Sequence, residues 1–145
     1  MSAVRVEETK LVGADPGKVY AILAQPEHHK NILPDAFVSY EPQPDGTIAF
    51  TLKVGGMRRN FHVRVEQTEP NKLMRETDLA TGIVTDFRLE PHAEGTLVTI
   101  ATNYATPRTF AGMLESALAP AFLQQLYEQE LTKLCRYALV ANVSE

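Results

Sequence analysis

The stretch from Thr109 to Ala141 constrains the fold most. It contains one Gly and one Pro, and its apolar residues recur at helical spacing: Leu114, Leu118, Phe122, Leu126, then Leu131, Leu134 and Ala138. The residues from Phe37 to Tyr104 alternate instead with period two and break at turn residues, which reads as six strands. A long amphipathic helix after a run of hairpins needs a sheet to lie on. A 21-residue helix spans roughly 32 Å, and seven strands span roughly 29 Å. One helix can therefore cross one whole curved sheet, and such a grip leaves space between the two.

The chain has 145 residues, 44% of them hydrophobic and 22% charged, the make-up of an ordinary globular protein. We read residues 1–145 as a single domain. A net charge of −4 argues against a nucleic-acid partner, because phosphate-backbone binding needs clustered Lys and Arg. The lone Cys135 excludes an intrachain disulfide. No run of about 18 apolar residues suggests an integral membrane segment. The start MSAVRVEETK lacks a signal-peptide apolar core, so a cytoplasmic location is expected. Oligomeric state is not legible.

Val4 to Val12 reads as a first strand. Asp15-Pro16 reads as a helix start, Asp15 as cap and Pro16 at the first helical position. Pro26 ends that helix and opens a short second one through Ile32 and Leu33. Gly55-Gly56 suits a two-residue hairpin loop, which sets Leu52 opposite Arg59, Phe50 opposite Phe61 and Ile48 opposite Val63. A turn at Pro70-Asn71 sets Val65 opposite Glu76 and Gln67 opposite Met74. A turn at Ala80-Thr81 pairs Glu76 with Thr85 and Met74 with Phe87. A four-residue loop from Pro91 to Glu94 pairs Phe87 with Val98 and Thr85 with Ile100. Leu73 and Val84 then point outward, unless a bulge between residues 72 and 78 flips this edge. Pro120 is expected to bend or interrupt the last helix, with 109–119 and Ala105-Thr106-Pro107 walling an entrance opposite Gly55-Gly56.

The order of strand, two short helices, six antiparallel strands and long helix resembles the START-related helix-grip superfamily. Within it the chain is similar to the polyketide cyclase/dehydrase-like (SRPBCC) family. The resemblance is carried by GADPGKVYAILAQPEHHKNILPDAF at 13–37, RETDLATGIVTDFRLEP at 75–91, GTLVTIATNY at 95–104 and EQELTKL at 128–134. It implies an α+β helix-grip fold, a curved antiparallel sheet of about seven strands around the C-terminal helix. It also implies a hydrophobic or amphipathic small molecule as partner, held between sheet and helix; some relatives bind lipids or quinones, and some cyclise or dehydrate polyketides. It implies no cofactor. Many members carry Trp near the short second helix; here the stretch is Lys30-Asn31-Ile32-Leu33-Pro34.

The inward parity nominates ligand-contacting residues: Tyr40, Phe50, Leu52, Arg59, Phe61, Met74, Phe87, Ile100, Thr102 and Tyr104, with Leu126 from the helix. Glu76 is the sharpest candidate for chemistry, since a carboxyl facing a cavity has a raised pKa and can act as acid or base. The competing reading is a carboxylate at a strand end or paired at the rim. Arg59 could hold an acidic group, or merely lay its stem on apolar surface. Thr85 and Thr102 are explained by strand propensity. Adjacent helical residues do not face each other, so His28-His29 reads as solvated surface with no metal site. Tyr127 and Glu130 lie one turn apart on the helix and either could point into the grip, with surface the usual place for a Glu. Three functions compete. The first is a carrier or binder of a hydrophobic ligand. The second is a cyclase or dehydratase using Glu76 with Arg59 and Tyr104. The third is an interaction protein with a filled interior.

Overall fold

The computed structural model describes residues 3–105 and 119–145. Strand β1 (Ala3–Val12) is followed by helices α1 (Pro16–Ala24) and α2 (Pro26–His29) and a 3₁₀ turn at Lys30–Ile32. Six strands come next: β2 (Phe37–Pro42), β3 (Thr47–Val54), β4 (Met57–Glu69), β5 (Leu73–Asp78), β6 (Val84–His92) and β7 (Gly95–Ala105). Helix α3 (Pro120–Val140) closes the chain. The seven strands form one antiparallel sheet in the order β1-β7-β6-β5-β4-β3-β2, so the first strand lies beside the last. This is the helix-grip architecture that the order of elements implies.

Local chemistry explains the joints. The Asp15 carboxylate accepts from Lys18 N–H at 3.2 Å and caps α1, with Pro16 at the first helical position. Gly55 and Gly56 both have positive φ, 56° and 85°, as a two-residue hairpin loop requires. That turn sets Leu52 opposite Arg59, Phe50 opposite Phe61 and Ile48 opposite Val63, the expected register. Asn71 supplies the positive φ of the next turn, at 66°.

Two expectations change. The β4–β5 register holds at Val65 opposite Glu76 but breaks at a bulge between Glu66 and Glu69, so Gln67 does not pair with Met74. Leu73, placed outward by simple alternation, is instead 7% exposed, and the Tyr20 hydroxyl donates to its carbonyl at 3.3 Å. The β6–β7 connection is the two-residue loop Ala93-Glu94, so Phe87 faces Ile100 and Thr85 faces Thr102. The two-residue slip keeps the same face inward, because side chains alternate with period two. At Pro120 helical structure starts rather than bends: it is the first residue of α3, preceded by Ala119 in extended conformation at ψ 133°, in line with an interruption there. There its missing N–H costs no hydrogen bond. The expected entrance wall at 106–118 lies outside the described residues.

Gly95 holds the β1 end of the sheet tightly. Its φ is 142°, and a Cβ there would stand 2.1 Å from the Val12 carbonyl oxygen. Replacing Gly95 by Ala is expected to cost at least about 2 kcal/mol in urea unfolding, against about 0.5 kcal/mol for an ordinary surface change. A loss no larger than that surface value would contradict this reading of the contact.

Candidate functional site: a cavity between sheet and helix

A cavity of about 770 Å³ lies between the sheet and α3. This is the size range of small-molecule sites, which are mostly apolar with a few placed polar groups. Its apolar wall includes Phe37, Phe50, Phe61 and Phe87 from the sheet, and Leu123 and Leu126 from the helix. The rings of Phe50 and Phe61 stack with centroids 5.2 Å apart and planes at 18°. Phe37 packs on Phe50 at 5.1 Å. Cross-strand pairing produces this arrangement directly, since Phe50 and Phe61 are register partners.

Of the residues nominated from the sequence, Phe50, Leu52, Arg59, Phe61, Phe87, Thr102, Leu126 and Glu76 lie on the wall. Tyr40, Met74, Ile100 and Tyr104 do not. Met74 and Ile100 are each 1% exposed and belong to the packed core beneath. Arg59 is half-buried and folds back along its own strand, donating to the Arg58 carbonyl at 3.3 Å and reaching Met57 Sδ at 3.6 Å.

The polar part of the site was only partly legible. His29, read from sequence as solvated, is 3% exposed. Its Nδ1 lies 2.8 Å from the Leu23 carbonyl, which makes Nδ1 the donor. Its Nε2 points to Glu130 Oε2 at 3.4 Å. Tyr40 stacks on the imidazole at 5.8 Å with planes 7° apart, and Phe87 meets it edge-on at 5.8 Å. Glu130, read as a surface residue, is 4% exposed and lines the cavity. Its Oε2 is buried without a hydrogen bond. The 3.4 Å approach of His29 is thus an ion-pair distance without hydrogen-bond alignment.

Glu76 is surrounded by protein yet partly open to the cavity, so solvent accessibility makes it half-buried although its environment is that of the interior. Burial raises its pKa to about 7; the His29 charge pulls it down and the Glu130 charge pushes it up. For His29, burial opposes the charge, but Glu130 beside it, the Glu76 charge and the Leu23 carbonyl outweigh that and raise its pKa to about 9. On the other side of α3's inner face, the Tyr127 hydroxyl hydrogen-bonds Thr102, which in turn bonds Thr85 at 2.7 Å. Burial pushes the Tyr127 phenol up to about 12, so it stays neutral. These threonines are thus part of a hydroxyl chain joining sheet to helix, beyond what strand propensity explains.

Two polar regions therefore mark the cavity. Arg59 stands near the β3–β4 turn. Glu76 stands opposite Val65, which is six residues further along β4, or about 20 Å of strand. Among the described residues no group of three or more His, Cys, Asp or Glu is placed to hold a metal ion. No described helix is long and apolar enough to cross a membrane.

Comparison with known proteins fits this picture. The chain belongs to the polyketide cyclase/dehydrase and lipid transport family, whose pattern matches residues 3–138. Its fold is shared with the KanY protein, at 20% identity and a TM-score of 0.81, covering 96% of this chain and 99% of that one. The TTHA0849 protein from Thermus thermophilus is similar too, at 20% identity and a TM-score of 0.77, with 96% and 99% covered. So is CV1439 from Chromobacterium violaceum, at 19% identity and a TM-score of 0.68, with 92% and 96% covered. No curated protein sequence matches the chain.

Proposed function

We propose that the protein binds or carries a hydrophobic or amphipathic small molecule in this cavity. The observation that supports it best is the cavity itself, about 770 Å³ of space walled largely by aromatic and aliphatic side chains. A filled interior would have favoured an interaction protein instead. The ligand's apolar body lies against Phe50, Phe61, Phe87 and Leu126. Apolar burial contributes about 25 cal/mol per Å² before the cost of ordering the ligand. Arg59 orients an acidic group at its end of the cavity.

The test is a thermal-shift screen of fatty acids, quinones and aromatic polyketides. At least one class is expected to raise the melting temperature. Phe61→Arg is expected to abolish that rise by placing a charge in the apolar space, while the variant still folds. Arg59→Ala is expected to weaken acidic ligands more than neutral ones of the same shape. A screen with no shift in any class would remove the support for binding.

A second reading is favoured by one feature: a carboxyl that titrates near neutrality and opens on the cavity. Glu76 would then transfer a proton in cyclase or dehydratase chemistry. Of its two expected helpers, Arg59 is on the wall and Tyr104 is not, so Tyr127 is the phenol within the site. Loss of turnover in Glu76→Gln with ligand binding intact would establish this reading over simple carriage.

A further inference from the structure

The cavity is charged asymmetrically. Glu76 and Asp78 are two residues apart on β5 and line the same wall, and Glu130 reaches it from α3. Asp78 is already engaged, since its Oδ2 accepts from the Thr81 hydroxyl at 2.6 Å and the Thr81 N–H at 3.2 Å. Among the described residues Glu130 Oε2 is buried and accepts no hydrogen bond, and the Glu76 carboxyl opens on the cavity. Buried acceptors of this kind are costly unless a donor reaches them. The His29 imidazole stands 3.4 Å from Glu130 Oε2 and gives its other N–H to the Leu23 carbonyl, so one cation serves both Glu130 and Glu76. The remaining groups on this part of the wall, Tyr127 and the Thr85 and Thr102 hydroxyls, are neutral. His62, which also borders the cavity, has its Nε2 at Thr47 Oγ1, 2.5 Å away on an exposed strand face.

We propose that this end of the cavity takes a protonated amine of the ligand, held by Glu76 and Glu130. An ammonium supplies three donors and one positive charge, which suits an acceptor-rich wall whose carboxylates outnumber its one cation. A carboxylate would meet like charges there. A hydroxyl would satisfy one acceptor and leave the charge. The apolar body then runs past Phe87 toward Phe61 and Phe50. This deepens the binding reading above and rests on it.

The test uses three probes with one apolar body: 2-naphthylmethylamine, 2-naphthylmethanol and 2-naphthoic acid, measured by calorimetry at pH 7. The amine is expected to bind at least about tenfold more tightly than the alcohol, whereas the acid, turned end for end toward Arg59, is expected to lose affinity on Arg59→Ala and not on Glu76→Gln. Ammonium binding favours ionised Glu76, so the amine alone should release protons, seen as a buffer-dependent heat. Glu76→Gln should erase the amine's advantage and its proton release while leaving alcohol binding within about twofold. Glu130→Gln should reduce the advantage without abolishing the proton release. Alcohol binding as tightly as the amine overturns the inference and leaves the binding reading standing. So does an amine preference that survives both variants. Binding of none of the three overturns both.

Discussion

His29→Leu is expected to destabilise the protein by about 3–5 kcal/mol at neutral pH, the cost of stripping one partner from a buried ion pair. For a chain of this length that is a fall in melting temperature on the order of 10 °C. The physical reason is specific. Glu130 Oε2 is buried, makes no hydrogen bond, and has the imidazolium 3.4 Å away as its compensation. The leucine also abandons the Leu23 carbonyl, which accepts from Nδ1 at 2.8 Å. The double variant His29→Leu with Glu130→Leu should recover at least half of the loss, because it removes the stranded charge. A single-variant loss below about 1 kcal/mol would show that water reaches Glu130 and that the pair is not interior.

The second large effect is on pH dependence. Glu76 has a pKa near 7 in the folded chain, against an ordinary value of 4.5. The folded state therefore binds more protons than the unfolded state between these values, and stability falls as pH rises through that window. His29, near 9 when folded against 6.5 ordinarily, has the same sign. Its stabilisation is complete below about 6.5 and disappears as pH passes 9. The two groups are coupled, since ionised Glu76 helps His29 keep its proton. Together they predict a melting temperature that declines steadily from pH 5 to pH 9. Glu76→Gln should flatten the part below pH 7 and make the protein more stable than the parent at pH 8. It should also move the His29 limb to lower pH. A parent profile that is flat or rising between pH 5 and pH 8 would refute the interior placement of these groups.

The fold was readable because turn chemistry fixed the registers. Gly55-Gly56 admits one tight hairpin, and the pairing of Phe50 with Phe61 follows from it. Where the register was misjudged, at β6–β7, the error was an even number of residues, so Phe87 still faced the helix. The bulge in β4 had no local signature among Glu66, Gln67, Thr68 and Glu69, and with it went the placement of Leu73. The apolar wall was legible for the same reason as the fold. Of the ionisable cluster Glu76 alone was nominated, because His29 and Glu130 lie far from it in the chain and a Glu on a helix is expected at the surface. One signal did exist. Leu123, Tyr127, Glu130, Leu134 and Ala138 recur at helical spacing, so Glu130 falls within the buried stripe of α3. A charged residue inside an apolar stripe needs a partner, and His29 supplies it.

Helix α3 is held unevenly along its length. Its second half is stitched down: Lys10 donates to Thr132 at 3.0 Å and Lys133 to the Leu33 carbonyl at 3.0 Å. Further on, Tyr137 meets His28 at 2.7 Å and Asn31 at 3.1 Å, over a core of Leu131, Leu134 and Ala138. The first half instead presents Leu123, Leu126, Tyr127 and Glu130 to open space. One continuous helix is thus anchor at one end and ceiling at the other. Changes at positions 123 or 126 reshape the chamber while the stitching stays untouched, whereas changes at 131 or 134 reach the anchorage first. A chain built this way can drift in what it holds without drifting in how it folds.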